Sequence, residues 1–552
     1  MVELIMDSIG SSVGPLETLL SHYQPILLIL GVVGLGYLLF QAAFATDVPH
    51  IKGIPEPKGA IPFYGHLKSL GDDHPTTLQN FSVDNAWPLV QVKFGNRRVI
   101  VLNTFEAAQH FIIRNSSATI DRPLFWTFHK FVSNTQGATI GTSPWDTSCK
   151  RKRTAIGSYM TRPAIQRNAS LIDIEALGLV EGIFQASLDK DGKTSSEVDP
   201  RLLFQRASLN FVLMLCYAAR FPNIDDPLLH EILATGKTVS TFRSTNNNMQ
   251  DYVPLLRYLP NSRTKMAKEI TKKRDVWLEA LLNRVRKAVA SGKPVSCIAE
   301  SLLKEKGSEK LTEAEIRSIN VGLVSGGSDT IATTGLGGLG FLASKEGQVI
   351  QQKAYDEIMK VYATAEEAWQ NCVLEENVEY VVALVREMLR YYCAIQMLPP
   401  RKTCKPFEWQ GAQVPAGCTV YMNAQAINHD KTAYGPDAHV FRPERWLDAS
   451  SPFQVGLPYH YSYGAGSRAC TAVALSNRIL YCYFVRLIVS FRFTASEATP
   501  PTLDYIEFNE NPQGATVIPK TYKVKIEERR PREELAKNFE NSRETTSHLI
   551  FT

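Results

Sequence analysis

The chain has 552 residues, 44% of them hydrophobic and 21% charged, which is the composition of an ordinary globular protein with enough apolar material for a large core. Its net charge of +5 is too small to indicate binding to nucleic acid. The nine cysteines contain no C-x-x-C pair, which argues against a zinc ribbon and against a disulfide framework, and favours reduced thiols in a cytosolic domain.

The first predicted element is an apolar segment, residues 25–45, that contains no charged side chain. About 20 such residues span a bilayer as a helix, so we predict a single-pass anchor after a short luminal segment, residues 1–24. Lys52, Lys58 and Lys68 follow the segment and no Lys or Arg precedes it, which puts the remainder of the chain in the cytosol by the positive-inside rule. The alternative is a buried core helix.

Three further regions follow the anchor. Residues 46–62 carry four prolines and are predicted to form a semi-rigid hinge. No long polar linker divides residues 63–524, so we predict one mainly helical domain, with short strands at residues 89–94 and 98–102. The tail, residues 525–552, is rich in charge, and we predict that residues 527–547 are frayed or disordered.

A long helix is predicted to begin at Thr312, where Thr312 and Glu315 have the spacing of a capping box. The helical pattern continues to about Ser344 and includes seven glycines. Each interior glycine costs a helix about 1 kcal/mol relative to alanine, so we expect another element to approach this helix closely. Residues 335–340 also match G-x-G-x-x-G, but that fingerprint requires a strand before it and is rejected here.

Within this helix, Asp329 and Thr330 follow a pair of glycines. The Thr330 hydroxyl lies four residues after Gly326 and can reach its carbonyl, which loosens a helix and opens a groove. An alcohol beside a carboxylate can relay protons to a bound oxygen ligand. The alternative is an ordinary buried threonine beside a solvated aspartate.

A glycine-rich loop near the C-terminus ends in Cys470, with Tyr463 seven residues and Arg468 two residues before it. A helical pattern follows directly, at residues 473–486. A thiolate at a helix N-terminus is stabilised by free N–H groups and by the helix dipole. Such a loop can hold a single sulfur against haem iron. The alternative is a buried free cysteine.

This loop resembles the haem-binding signature of the cytochrome P450 family, with Tyr463 at the family's phenylalanine and Ala472 at its second glycine. Residues 326–330 match the family's oxygen-activation motif. The resemblance covers nearly the whole chain and implies a mainly α (α+β) fold, with a long central helix over the haem, small β-sheets and an N-terminal transmembrane helix. It also implies haem b as cofactor, with Cys470 as the axial iron ligand, Tyr463 and Gly466 shaping the loop, and Asp329 and Thr330 as catalytic residues.

The resemblance assigns a structural role to three charged residues. Glu387 and Arg390 share one face of a predicted helix, residues 374–392. In the family this pair is completed by an arginine that corresponds to Arg445, and the three form a buried charge network beneath the haem loop. Such networks are costly to break.

The resemblance also implies contacts with the haem propionates from Arg401, Arg468 and the indole N–H of Trp145. Four residues after this tryptophan the family often has an arginine, but this chain has Cys149. Residues 150–153 read Lys-Arg-Lys-Arg. One of them replaces the missing cation, or the run docks an acidic surface of a reductase. The alternative is a solvated surface with neither role.

The activity implied is a monooxygenase reaction that uses O2 and electrons from NADPH, delivered by NADPH–cytochrome P450 reductase. The implied location is the endoplasmic reticulum membrane, with the catalytic domain in the cytosol and no nucleic-acid partner. Two alternatives are a haem-thiolate isomerase or dehydratase that uses no external O2, and a non-catalytic membrane haem carrier or sensor. The pairing of Asp329 with Thr330 argues against both.

Residues 143–151 and 463–468 look like those of fungal phenylacetate hydroxylases and of the m-cresol (methylphenol) hydroxylases of polyketide pathways. A small aromatic substrate is therefore expected, such as m-cresol, a hydroxybenzyl alcohol or phenylacetate, in fungal secondary metabolism. Four aromatic residues lie where the family has its substrate-covering loop, and aromatic walls suit a small ring: Phe125, Trp126, Phe128 and Phe131. Core packing explains any one of them equally well.

Overall fold

The computed structural model describes residues 23–24, 26–305, 310–448 and 458–551, so nearly all of the predicted luminal segment lies outside the described residues. Helix α1, Ile26–Phe44, has 19 residues and a mean hydropathy of 2.3, and only 6% of it is buried. It is long and apolar enough to cross a bilayer. A buried core helix, the alternative reading of this segment, does not fit such exposed side chains.

Helices dominate the structure, as the helical pattern of the sequence predicts. After α1 the α-helices are α2 His74–Asn85, α3 Phe105–Ala108, α4 Thr147–Gly157, α5 Arg162–Arg167, α6 Ala169–Ser187, α7 Arg201–Tyr217, α8 Pro227–Thr241, α9 Ser262–Ala290, α10 Ile298–Lys304, α11 Glu313–Ala343, α12 Gln348–Val361, α13 Ala365–Asn371, α14 Glu379–Tyr391, α15 Ala424–Asn428, α16 Lys431–Tyr434, α17 Val473–Ser490 and α18 Arg532–Thr546. Shorter helical turns are the π-helices Gln109–Arg114 and Phe128–Val132 and the 3-10 helices Met249–Asp251, Pro254–Tyr258, Pro443–Trp446 and Gly466–Arg468.

Three small sheets complete the domain. The strands are β1 Leu89–Phe94, β2 Arg97–Leu102, β3 Arg401–Lys402, β4 Phe407–Trp409, β5 Ala412–Val414, β6 Thr419–Met422, β7 Phe491–Ala495 and β8 Val524–Glu528. The largest sheet has the order β1-β2-β6-β3, with β2 antiparallel to β1 and parallel to β6. Strands β4 and β5 form one hairpin, and β7 pairs with β8. The strands predicted at residues 89–94 and 98–102 are confirmed as β1 and β2.

The central helix α11 begins with the predicted capping box. The Thr312 hydroxyl accepts a hydrogen bond from the Glu315 N–H at 3.2 Å, and the Glu315 carboxylate accepts one from the Thr312 N–H at 2.9 Å. The close approach expected from the glycines is also confirmed. A Cβ on Gly335 would lie 2.5 Å from Phe204 of α7, and one on Gly338 would lie 2.5 Å from Met388 of α14. The glycines thus let two helices pack directly against the α11 backbone.

The prediction that the charged tail is frayed or disordered is wrong. Strand β8 pairs with β7 along its whole length, and α18 packs onto the domain through one buried face. The Phe539 ring of α18 lies 5.8 Å from the ring of Trp369 and 6.3 Å from that of Phe184. The apolar face contains little more than Leu535 and Phe539. Because the other faces are highly charged, the average composition of the tail does not indicate a packed helix.

Replacing Phe539 by alanine tests the docking of this tail helix. We expect the free energy of unfolding to fall by about 3 kcal/mol, because a buried aromatic ring is lost and leaves a cavity. Thermal unfolding monitored by circular dichroism measures the change, with Glu540→Gln on the exposed face of the same helix as the control. A variant that melts together with the wild type would contradict the packing described here.

Candidate active site

A cavity of about 340 Å³ lies between α11 and the loop that carries Cys470. Gly326 and Thr330 line it from α11, and Tyr463 and Cys470 line it from the loop. The structure therefore brings together two motifs that are far apart in the sequence. Cys470 is one of two cysteines with exposed surface, and its exposed surface belongs to this cavity.

The cysteine loop is shaped by its glycines and by two hydrogen bonds from backbone N–H groups. Gly466 has φ +61°, and a Cβ there would collide with the carbonyl oxygen of Ile112, so only glycine fits. The Cys470 N–H donates to the Tyr463 carbonyl at 2.9 Å. The Ala472 N–H donates to the Cys470 sulfur at 3.4 Å. Burial raises the pKa of the Cys470 thiol, while this N–H and the charge of Arg153 act in the opposite direction.

On the opposite wall, the Thr330 hydroxyl donates to the Gly326 carbonyl at 2.8 Å, as the sequence predicts. A Cβ on Gly326 would meet no atom within 4 Å, so this face of α11 is open to the cavity. Asp329 instead lines a separate cavity of about 240 Å³ on another side of the helix. Burial raises the pKa of Asp329, and a hydrogen bond from Ser328 and the charge of Arg243 partly offset that rise.

Four arginines surround the side of the cavity next to the cysteine loop, and their guanidinium groups donate to backbone carbonyls. Arg468 donates to Ile140 at 2.9 Å and to Ser143 at 2.8 Å. Arg401 donates to Ala465 at 2.8 Å, and Arg153 to Ala469 at 3.2 Å. Arg122 donates to Pro400 at 2.8 Å and also to Pro399. Neutral carbonyls are thus the hydrogen-bond acceptors of all four.

These four cations act on one another, and the nearest carboxylates, Asp121 and Asp146, act on Arg468 without forming an ion pair with it. Burial and the charges of Arg468 and Arg153 lower the pKa of Arg401 to about 9. Burial and the other three arginines lower the pKa of Arg122 in the same way. The Nε atoms of Arg122, Arg401 and Arg468 are buried without a hydrogen-bond partner, and among the described residues no carboxylate pairs with any of the four. Such a cluster requires a bound anion.

Arg122 and Arg153 were not among the residues picked out individually by the sequence analysis. Arg153 lies four residues after Cys149, one turn further along α4, and so on the same face. That spacing is a signal in the sequence. No sequence pattern around Arg122 indicates its role, because only the fold brings its guanidinium group to the carbonyls of Pro399 and Pro400.

The basic run at residues 150–153 is divided between the interior and the surface. Lys152 is buried and donates to the Ala138 carbonyl at 2.6 Å, and Arg151 lies 3.6 Å from Glu315. Arg153 faces the cavity, which leaves Lys150 exposed beside Trp145. This geometry favours replacement of the missing cation by Arg153 over a docking patch made of all four residues.

Trp145 lies beside the arginine cluster. The Arg468 guanidinium lies 5.5 Å from the centre of its indole ring, and its backbone N–H donates to Asp121 at 2.8 Å. The structure therefore places Trp145 against Arg468, behind the residues that line the cavity.

The structure separates the four aromatic residues expected over the substrate. Phe125 and Phe128 line the cavity, whereas Trp126 and Phe131 face away from it. The Trp126 ring lies 3.7 Å from the Lys130 ammonium and 6.0 Å from the Phe131 ring. The π-helix Phe128–Val132 sets this division, which a simple count of aromatic residues does not reveal.

The predicted charge network is present and fully buried. The Glu387 carboxylate accepts two hydrogen bonds from Arg390, at 2.7 and 2.9 Å. It also accepts one from Arg445 at 3.1 Å and one from the Trp446 indole at 2.9 Å. Burial alone lowers the pKa of Arg390, but the Glu387 charge more than offsets this and raises it. Glu387 thus pairs with both buried arginines, and Asp437 lies 3.4 Å from Arg445 as a second carboxylate.

The network is connected to the cysteine loop through Asn428, which sequence reasoning missed. Arg390 donates to the Asn428 carbonyl at 2.8 Å. The Asn428 side chain accepts from the Tyr461 N–H at 2.8 Å and donates to the Ser462 hydroxyl at 2.9 Å. These two residues directly precede Tyr463, so the network positions the start of the loop.

Comparison with known proteins decides the family. Residues 55–526 match the family model for Cytochrome P450. The chain belongs to the cytochrome P450 family. The predicted P450 fold, with its long central helix and small sheets, is thereby confirmed.

Two relatives are hydroxylases of Emericella nidulans. This P450 is 42% identical to phenylacetate 2-hydroxylase, over 94% of this chain and 98% of the relative. It is 34% identical to 3-hydroxyphenylacetate 6-hydroxylase, over 88% and 90% of the two chains. It is also 32% identical to cytochrome P450 monooxygenase CYP3 of Mycosarcoma maydis, over 86% of each. The chain is therefore a P450 monooxygenase, and the isomerase and haem-carrier alternatives lose their support.

Membership of this family implies haem b and electrons from NADPH delivered through a reductase. The site suits that cofactor in two respects. The Cys470 sulfur has free surface on the cavity. The three buried arginines and the half-buried Arg153 form no ion pair with a described carboxylate, and the two propionates of a haem can supply that charge.

Replacing Glu387 by glutamine tests the charge network. Removal of the Glu387 charge leaves the fully buried Arg390 without its ion-pair partner and leaves Arg445 with Asp437 at 3.4 Å, which should cost about 3–5 kcal/mol. We expect a lower melting temperature and a lower ratio of haem to protein. Glu379→Gln, at the exposed start of the same helix, is the matched control. Normal haem content in the Glu387 variant would show that the network does not support the loop.

Proposed function

We propose that this P450 is a membrane-anchored monooxygenase that hydroxylates a small aromatic substrate. The observation that carries the proposal is a single cavity bounded by Cys470, Thr330 and the rings of Phe125 and Phe128. Aromatic walls suit a small flat ring. The two Emericella nidulans relatives, a phenylacetate hydroxylase and a 3-hydroxyphenylacetate hydroxylase, support the same substrate class. m-Cresol, hydroxybenzyl alcohol and phenylacetate are the candidates, with a role in fungal secondary metabolism.

In this proposal the Cys470 sulfur would hold the haem iron, and Gly466 and Tyr463 give the loop its shape. Arg401 and Arg468 would hold the propionates. Arg153 and Arg122 take the place of the cation missing at Cys149, and Trp145 supports Arg468. Haem, when bound, supplies the activation of O2. Glu387, Arg390 and Arg445 serve as the scaffold beneath the loop.

Asp329 and Thr330 have separate roles in proton supply, because they lie on two different sides of α11. The raised pKa of Asp329 favours a protonated carboxyl closer to neutral pH than is usual for aspartate, and this carboxyl faces the second cavity beside His230 and Lys237. The Thr330 hydroxyl holds a proton on the wall of the main cavity. Asp329 would therefore take up protons on the side of the second cavity, and Thr330 would hold a proton at its hydroxyl on the wall of the main cavity.

The proposed setting follows from the anchor. Residues 25–45 hold the protein in the endoplasmic reticulum membrane in a single pass, and residues 46–62 form the hinge. The domain from residue 63 onward faces the cytosol, where NADPH–cytochrome P450 reductase delivers electrons. The apolar, exposed surface of α1 supports this arrangement.

A spin-state titration of the purified ferric protein tests the substrate class. We expect a saturable shift from low to high spin with m-cresol, 3-hydroxybenzyl alcohol or phenylacetate, and a hydroxylated product when reductase and NADPH are added. A long-chain fatty acid is the control. If only the fatty acid shifts the spin state, the small-aromatic assignment is wrong.

Replacing Thr330 by alanine tests the proton route. We expect the amount of product per NADPH consumed to fall roughly 10-fold or more, because a positioned proton donor is lost, while substrate binding stays near that of the wild type. The control is Thr334→Ala, one turn further along α11, whose hydroxyl donates to the Thr330 carbonyl. Equal coupling in the Thr330 variant and the wild type would remove this residue from the route.

A further inference from the structure

Apart from the arginines beside the cysteine loop, the main cavity has another cationic residue, Arg243. It lies two residues after the end of α8 and lines the cavity together with Phe128 and Gly326. Its Nε atom is buried without a hydrogen-bond partner. Within the described ranges, no carboxylate forms an ion pair with its guanidinium. Arg243 is half-buried, and a guanidinium group that is partly removed from water without a counter-charge is a receptor for an anion.

Arg243 is electrostatically separate from the arginines beside the cysteine loop. Arg122, Arg153, Arg401 and Arg468 act on one another. The charges that act on Arg243 are instead those of Arg274 and Asp329, and Asp329 lies beyond ion-pair distance. Burial and Arg274 lower the pKa of Arg243 to about 10, so the group stays cationic near neutral pH. The cavity thus has two cationic poles, and the haem propionates account for one of them.

The polar neighbours of Arg243 are already occupied. The Thr245 hydroxyl forms a hydrogen bond with His74 at 2.7 Å, and the Asn246 amide donates to the Asp72 carbonyl. The Arg243 guanidinium lies 5.1 Å from the centre of the Phe128 ring. An aromatic ring and an uncompensated cation therefore lie side by side on the cavity wall.

We propose that Arg243 binds the carboxylate of an arylacetate substrate and so makes this P450 specific for aromatic acids over neutral phenols. A guanidinium group can form two parallel hydrogen bonds with a carboxylate, and Phe128 packs against the adjoining aromatic ring. This inference rests on the proposed function and narrows its substrate class. Two relatives, phenylacetate 2-hydroxylase and 3-hydroxyphenylacetate 6-hydroxylase, have names that agree with it.

The test compares phenylacetate with phenylacetamide, a neutral ligand of the same shape, by spin-state titration and calorimetry of the haem-loaded protein. We expect the wild type to bind phenylacetate at least roughly 10-fold more tightly than the amide. In Arg243→Gln, the dissociation constant for phenylacetate should rise roughly 10- to 100-fold, since a charge-assisted bond is lost. That for phenylacetamide should change less than about 3-fold, and Arg243→Lys should recover part of the loss.

The matched control is Arg263→Gln. Arg263 lies 4.2 Å from the ring of Phe242 and donates to the Thr241 carbonyl, in the same region but outside the cavity lining, so phenylacetate binding should stay near that of the wild type. Equal weakening of both ligands in Arg243→Gln would overturn the inference. If Arg243→Gln does not fold, the wild-type preference decides: no preference for the acid over the amide overturns the inference.

Failure of the inference can be told apart from failure of the proposed function. Binding of m-cresol and phenylacetamide without any advantage for phenylacetate would overturn the role of Arg243 and leave a small-aromatic hydroxylase. Binding of no small aromatic compound would overturn both.

Discussion

Three buried arginines and the half-buried Arg153 lie together beside one cavity, and none of them forms an ion pair with a described carboxylate. This excess of positive charge is the constraint on which the structure depends. Arg401 and Arg468 are almost fully buried and donate only to backbone carbonyls. Each uncompensated charge costs several kcal/mol in a protein interior. The described chain meets the hydrogen-bonding needs of these groups only in part. In the proposed function, the two propionates of a haem would supply the missing anions.

The remainder of the site supports that arrangement from two sides. Beneath the loop, Glu387 neutralises Arg390. Arg390 in turn bonds to Asn428, which accepts a hydrogen bond from the loop backbone. Above the cavity, α11 loses helix stability through its glycines but gains direct contact with α7 and α14. On the same helix, Asp329 and Thr330 point to different sides. Asp329 lines the second cavity, and Thr330 lines the main cavity.

The motifs that depend on local spacing could be predicted from the sequence. The capping box at Thr312, the Thr330 hydroxyl bond and the pairing of Glu387 with Arg390 each need only a helix and a fixed offset. The family resemblance supplied Arg445, because its contact with Glu387 joins distant parts of the chain. The short strands β1 and β2 were predicted almost to the residue.

Other features depend on tertiary contacts or on a weak pattern. The tail helix was missed because two apolar residues among many charges do not alter the composition of the segment. The orientation of Trp126 and Phe131 depends on a π-helical turn, which changes the residue spacing of the loop. Arg122 and Arg243 lie in no sequence motif. Only the fold shows that Arg122 is close to the other three arginines of the cluster and that Arg243 is apart from them.

The most direct test of this account is an experimental structure of the haem-loaded protein. We expect the Cys470 sulfur on the iron and the propionate oxygens within hydrogen-bond distance of Arg401 and Arg468, with Arg122 and Arg153 completing the cluster. A different axial ligand, or propionates directed away from these arginines, would contradict the claim that the buried cations exist to hold the cofactor.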